Sequence, residues 1–431
     1  MKGSFQVIMI VVFIFAAVFG VLVFSGVIPI GEGDGLGGQG TVVLWGTVKN
    51  SAIFQALEDF NTANPSFSVK YVEKSSENFD RDLLEALASG TGPDMFFLPD
   101  DLAFHYANKI STIPYSNYSL STFQNTFAGA GEVFLNKSGM IAFPMAIDPL
   151  VMYYNRSILD ANSIIYPPAS WDEMSQMVPM ITKKDDSNKI LKSAVSLGHF
   201  SNISHAKDII TALFMQTGNP ILAGKNGVVQ STLNDISTSG SSLAEVLNFY
   251  TDFANPTNTV YSWNRSFQDS RVSFSREDLA FYFGYASELA SLVNQNPNQN
   301  FLIAPFPQMN NSNFKLTSAQ VTGLAISSFS KNLNTAFIAA SLMATGDFAD
   351  KFRLAIGVAP ARRDLLARKP EDAYSPVFYD SALYARTWLD PSPKETDDIF
   401  RRMIDGVLAN NISSEDAIRE ASSRLSLLLQ Q

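Results

Sequence analysis

The stretch Phe143 to Asn155, FPMAIDPLVMYYN, constrains this chain more than any other. Pro144 and Pro149 each push the preceding residue toward extended backbone and each removes an N–H that a helix would need, so the segment runs as strand. The same alternation of strands and helices precedes and follows it, which makes it a covalent bridge between two α/β lobes. Asp148 is its only carboxylate. It is either a turn residue before a proline or part of a cleft floor between the lobes.

From Thr41 onward the first lobe reads in order. Val42 to Trp45 is a short apolar run ending at Gly46, as in a buried strand followed by a tight loop. Ile53, Phe54, Leu57 and Phe60 share one face of a helix over 51–64, which Asn64-Pro65 ends. Phe67 to Val72 alternates as a strand; Phe79, Leu83, Leu84 and Leu87 form a second helix closed by Ser89-Gly90; Asp94 to Leu98 is a third strand. This order implies a parallel sheet, in which ligands sit beyond the carboxyl ends of the strands. Trp45, Asp100 and Asp101 stand at those ends and are the first site candidates.

Length and composition bound the class. At 431 residues the chain exceeds one ordinary core, and its net charge of −10 with no basic stripe argues against nucleic acid as a partner. Cysteine is absent, which removes disulfides, thiolate metal sites, cysteine nucleophiles and a lipid-modified N-terminal cysteine. Phe5 to Ile30 carries no charge over 26 positions. As a helix that is roughly 39 Å, long enough to span a bilayer with tilt, and longer than the apolar core of a cleavable signal. Lys2 precedes it, while Glu32 and Asp34 follow, so the body is expected on the extracytoplasmic side of a single-pass cell-membrane anchor. Cleavage near Ser25 is the alternative. Six glycines in residues 31–40 make a flexible linker.

Taken together, TVVLWGTVKN, the helix ending in NP, ALASGTGPDMFFLPDD, FPMAIDPLVMYYNRSIL and PPASWDEM resemble bacterial extracellular solute-binding proteins of the maltose-binding type. PFPQ at 305–308, TGLAISSFSKN at 322–332 and GVAPARRDLL at 357–366 fit the same resemblance, which covers Thr41 to Leu429. It implies a two-lobed periplasmic-binding-protein-like α/β fold of type II behind one transmembrane helix. The expected lobes are 41–147 with 305–352, and 148–304 with 353–431, joined by strands near 144–150, 300–307 and 353–360. It implies a monomer that binds a solute, expected to be a carbohydrate, and passes it to ABC permease subunits, with no cofactor.

Further candidates lie in the second lobe. Tyr261 and Trp263 sit in the polar context YSWNRSF, where an aromatic ring either stacks on a sugar face or forms a satellite core under a loop. Phe274 to Tyr285 resembles the family segment that leads from a helix through a strand into the cleft. Glu277 stands where the family usually has glycine. Phe281 and Phe283 read as core, Tyr285 as facing ligand, and Trp388 lies in a loop that the resemblance brings to the cleft. The expected ligand-binding set is therefore Trp45, Asp101, Asp148, Tyr261, Trp263, Tyr285 and Trp388. Ser170 and Glu173 have capping-box spacing, which makes Trp171 structural. His199 and His205 are spaced by six, wrong for two ligands on one helix face, and KKDDSNK lacks the glycine and glutamate of a calcium loop. No G-x-S-x-G, H-E-x-x-H or phosphate-binding glycine loop occurs, so an enzyme is not expected. Two other readings stay open: glycoside hydrolysis through Asp101 and Asp148, and an anchored sensor or adhesion module on the same fold.

Overall fold

Eleven strands, among the described residues, build one mixed sheet: β1 (Gly40–Gly46), β2 (Phe67–Glu73), β3 (Met95–Pro99), β4 (Ala142–Asn155), β5 (Lys183–Lys184), β6 (Ile190–Val195), β7 (Leu279–Tyr285), β8 (Phe301–Ala304), β9 (Thr317–Ile326), β10 (Ala359–Pro360) and β11 (Ala385–Arg386). The computed structural model describes residues 38–225, 228–235, 242–310, 313–368 and 370–430. The expected anchor at 5–30 and most of the glycine linker lie outside them. Among the described residues, no helix is long and apolar enough to cross a membrane.

The strand order is β2-β1-β3-β9-β4-β7-β6-β5, with β8 and β10 pairing β4 and β11 pairing β9. Strands β1, β2 and β3 are parallel, as the strand–helix–strand reading requires. Helices Asn50–Ala63 and Phe79–Ser89 cross between them, burying Ile53, Leu57 and Phe60 from one and Phe79, Leu83 and Leu87 from the other. Gly90 closes the second helix at φ 71°, a left-handed turn that side chains rarely adopt.

Strand β4 is the spine of the molecule. Its first half, Ala142 to Pro149, pairs antiparallel with β9; its second half, Leu150 to Asn155, pairs with β7 and β8. The chain thus passes from one half-sheet to the other at Pro149-Leu150 without leaving the strand. Every residue of β4 except Asp148 is buried, because helices cover both faces. In the second half, β6 runs parallel to β7, so both point their carboxyl ends at the same junction as β3.

Two expected boundaries move. Residues 305–316 belong with the second half: Gln308 N–H donates to the Ala169 carbonyl at 3.0 Å, and Gln216 holds the Pro307 and Leu316 carbonyls at 2.9 and 2.8 Å. Residues 353–384, expected in the second lobe, pack on the first. Ala128 N–H donates to the Ala361 carbonyl at 2.8 Å, and Ala359-Pro360 pairs with Ile147-Ala146. The chain returns to the second half later, after β11 pairs with Thr317-Ser318. Three connections therefore cross together, at 149–150, 317–319 and 385–390, instead of at 353–360. The closing helices Pro393–Leu408 and Ser414–Leu428 bury Ile399, Phe400, Met403 and Ile404, and Ala417, Ile418, Ala421 and Leu425.

Candidate functional site

At the junction, β9 is flanked by a carboxylate on each side. Asp100, immediately after β3, accepts from the Val321 N–H at 2.9 Å and from the Thr387 hydroxyl. Asp148 sits opposite Gln320 in the β4–β9 register and accepts from the Ser287 N–H at 3.0 Å. Adjacent strands lie about 4.8 Å apart, so the two backbones stand roughly 10 Å apart with β9 between them. Gln320 is exposed although its strand is otherwise mostly buried. These three residues form a polar floor where the chain changes lobes.

Burial governs the floor's protonation. Asp100 is pushed up to about 7, by desolvation first and then by neighbouring Asp101, against the pull of its two donors. Asp148 is pushed up to about 6, again mainly by burial, with Ser287 opposing and Glu288 reinforcing. Asp101 still reaches solvent, yet surrounding protein raises its carboxyl, followed by the charge of Asp390. A carboxyl that titrates near neutrality both donates and accepts hydrogen bonds, as a solute hydroxyl does.

The facing wall comes from the second half. The helix Ala206–Gln216 starts there behind His205, whose φ of 59° turns the chain into the helix. His205 Nε2 lies 2.7 Å from Glu288 Oε1. Burial works against the charge of His205, but Glu288, with Asp208 and Asp148, holds its pKa above the ordinary value. Glu288 also accepts from the Tyr282 hydroxyl at 2.7 Å and the Tyr285 N–H at 2.8 Å. Lys207 Nζ reaches Asp390 at 3.0 Å and Asp397 at 2.7 Å, tying this helix to the start of Pro393–Leu408. Asp101 feels both Asp390 and Lys207, which puts it opposite this wall.

The expected site residues divide. Asp101 and Asp148 lie at the junction, and Tyr285 ends β7 beside Leu150 with its ring edge-on to His205 at 4.7 Å. The Tyr285 hydroxyl is buried against the Asp208 carboxyl without a well-aligned hydrogen bond. Trp388 directly follows Thr387, which bonds Asp100, and packs edge-on to Phe400 at 6.3 Å. Trp45 stands at the carboxyl end of β1, but Lys74 Nζ lies 3.6 Å from its ring centroid and covers one face. Tyr261 and Trp263 are not cleft residues. Trp263 has no exposed surface: its ring stacks on Phe267 at 4.4 Å and 10°, and its Nε1–H donates to Asn202 at 3.2 Å. Tyr261 is buried near Lys184 of the edge strand β5 and accepts from Asn264. Trp263 belongs to the main core, fastened to the 199–205 loop through Asn202, while Tyr261 is buried at the sheet edge.

Asp390, Lys207, Asp208, Glu288, Thr387 and Gln320 escaped sequence reasoning. Only Gln320 left a local signal, a lone glutamine inside TSAQVTGLAI. Glu277 does take the conformation its glycine-like position requires, with φ of 62°. A concavity of about 760 Å³ opens elsewhere, between Phe200, Lys394, Asp398, Arg401, Arg424 and Leu428. Within it Arg401 is paired with Asp398, and Arg424 with Glu420.

Comparison with known proteins settles the class. A profile described as bacterial extracellular solute-binding protein matches residues 55–376. The chain belongs to this family. By that description its members bind solutes. A maltotriose-binding protein of Pyrococcus abyssi is 26% identical over 145 residues, a match spanning 33% of this chain and 30% of that protein's length. A cyclo/maltodextrin-binding protein complexed with maltotetraose shares the fold of this solute-binding chain at TM-score 0.73 and 15% identity, covering 93% of this chain and 99% of the other. The maltose-binding periplasmic protein MalE of Listeria monocytogenes, in complex with maltose, aligns at TM-score 0.69 and 16% identity over 91% and 98%.

Proposed function

We propose that this solute-binding protein captures a carbohydrate, preferentially an oligosaccharide, at the polar floor between its lobes and delivers it to an ABC importer. The observation that carries the reading is the floor itself: Asp100, Gln320 and Asp148 across β9, faced by Asp101, with Trp388 at the margin and the buried Tyr285 packed on His205. Hydroxyl-rich ligands need many short hydrogen bonds of mixed polarity and a flat apolar surface, and no group here has to react. The sugar-binding relatives support the same chemistry. In the proposed cycle the solute favours the arrangement in which both lobes touch it, and the three crossings at 149–150, 317–319 and 385–390 act as the hinge. The protein works as a monomer, with Phe5 to Ile30 retained as a single-pass anchor and the body on the extracytoplasmic side.

A thermal-shift comparison tests this reading. Full-length protein in detergent should melt at higher temperature with maltotriose, maltotetraose or mannobiose, and the shift should grow with ligand concentration, since binding to the native state alone adds stability. A shift with amino acids or polyamines and none with saccharides would move the solute class away from carbohydrate.

A further inference from the structure

The end of the first half-sheet remote from the solute floor has its own character. Strands β1, β2 and β3 begin there, and β9 ends there. The loop after β9 is fastened to the start of β3: Ser327 N–H donates to the Asp94 carbonyl at 2.9 Å, and Ser330 and Asn332 donate to the Asp94 carboxylate at 2.5 and 3.2 Å. Ser328 donates from both its N–H and its hydroxyl to the Lys109 carbonyl, at 3.0 and 2.9 Å. The loops at this edge read NPS at 64–66, SGTGP at 89–93 and SSFSKNLN at 327–334. In a chain of net charge −10, they carry Lys331, and the carboxylate that follows them, Asp94, is buried and held by Ser330 and Asn332. Phe329 is 54% exposed and Leu333 44%. Loop tips without exposed acidic groups, carrying an outward aromatic, an outward leucine and a lysine, match the composition of membrane-interface anchors.

The start of the described body leads to the same edge. Gly38 lies against Thr335, whose hydroxyl donates to the Gln39 carbonyl at 3.2 Å, two residues into the helix that begins at Leu333. Seven residues, 31–37, separate this point from Ile30 at the end of the apolar run. Seven residues span at most about 25 Å. Strand β1 carries the sheet roughly 20 Å from this edge to the floor.

We propose that this edge is a membrane-contacting base: Phe329 and Leu333 enter the headgroup region, Lys331 meets lipid phosphate, and the solute floor is held a strand's length above the bilayer. The inference rests on the anchor reading made above and extends it from a tether to an orientation. The contact is small and would be too weak for a free protein. A short tether makes it intramolecular, at an effective concentration that lets a weak contact persist.

Because the chain lacks cysteine, one engineered thiol labels one place. Full-length Asn334→Cys and Ser187→Cys, the latter in the loop before β6 in the second half, are each labelled with an environment-sensitive fluorophore. Both are reconstituted in three-to-one phosphatidylcholine and phosphatidylglycerol vesicles containing headgroup-nitroxide lipid. Carbonate washing comes first. The labelled chain should stay with the vesicles, and the probe at 334 should be quenched several-fold more than the probe at 187. Adding Phe329→Ser and Leu333→Ser should bring the two to the same level without releasing the chain. Equal quenching in a carbonate-resistant chain overturns the base and leaves the anchor standing; release by carbonate overturns the anchor and the base with it.

Discussion

Trp263→Ala is expected to lose about 3–5 kcal/mol of folding stability, the usual cost of truncating a fully buried tryptophan, while solute affinity stays unchanged. The indole has no exposed surface, stacks on Phe267 and donates to Asn202, so its removal opens a cavity and frees an acceptor in the 199–205 loop. Urea unfolding of wild type and variant, followed by fluorescence of the other tryptophans, measures the loss. A variant of native stability that no longer binds solute would return Trp263 to the cleft and contradict its place in the core.

The second large effect concerns pH. Asp100 has a folded pKa of about 7 and Asp148 of about 6, against about 3.9 for an aspartate in an unfolded chain. Between these values the folded protein holds protons that the unfolded chain has released. Stability from these groups is therefore present at low pH and is lost as pH rises from about 4 to about 7. For Asp100, which is 5% exposed, the full swing is on the order of 4 kcal/mol. Asp100→Asn imitates the protonated carboxyl and can still accept from Val321 while donating to Thr387. The variant should match wild type near pH 4 and exceed it above pH 7, with a flatter profile between. An unfolding midpoint that depends on pH identically in both proteins would show that Asp100 is not the group responsible.

The parts of the fold that were legible in sequence are those whose signal is local. Alternation over Phe67 to Val72, helical spacing from Ile53 to Phe60, and the prolines in β4 each act within a few residues, and the elements formed where they were expected. The third crossing was not legible. Strand β11 has two residues, too few for a period, and its place beside Thr317-Ser318 is fixed by contacts over 60 residues away. The resemblance carried by GVAPARRDLL implies a crossing near 353–360, but Ala359-Pro360 pairs with β4 on the first half-sheet.

The site shows the same division. Asp100 and Asp101 follow from the rule that ligands sit beyond strand carboxyl ends, and Asp148 from its isolation among apolar neighbours. The wall opposite them could not be read: Lys207 meets Asp390 across 183 residues, and His205 meets Glu288 across 83. Trp263 misled because its own loop is polar, while the loop that buries it lies some 60 residues earlier.

The central claim, that solute binds at the floor between the lobes, is tested most directly by calorimetric titration of wild type and Asp101→Ala with the oligosaccharide that gives the largest thermal shift. Asp101 reaches solvent at the mouth of the junction and accepts no side-chain bond that the fold needs, so its loss should spare folding. Affinity should fall by about 1–3 kcal/mol, the cost of removing one acceptor from a buried polar contact. Unchanged affinity in Asp101→Ala would move the solute away from this floor, and turnover of the titrated oligosaccharide by the wild type would contradict the binding-protein account itself.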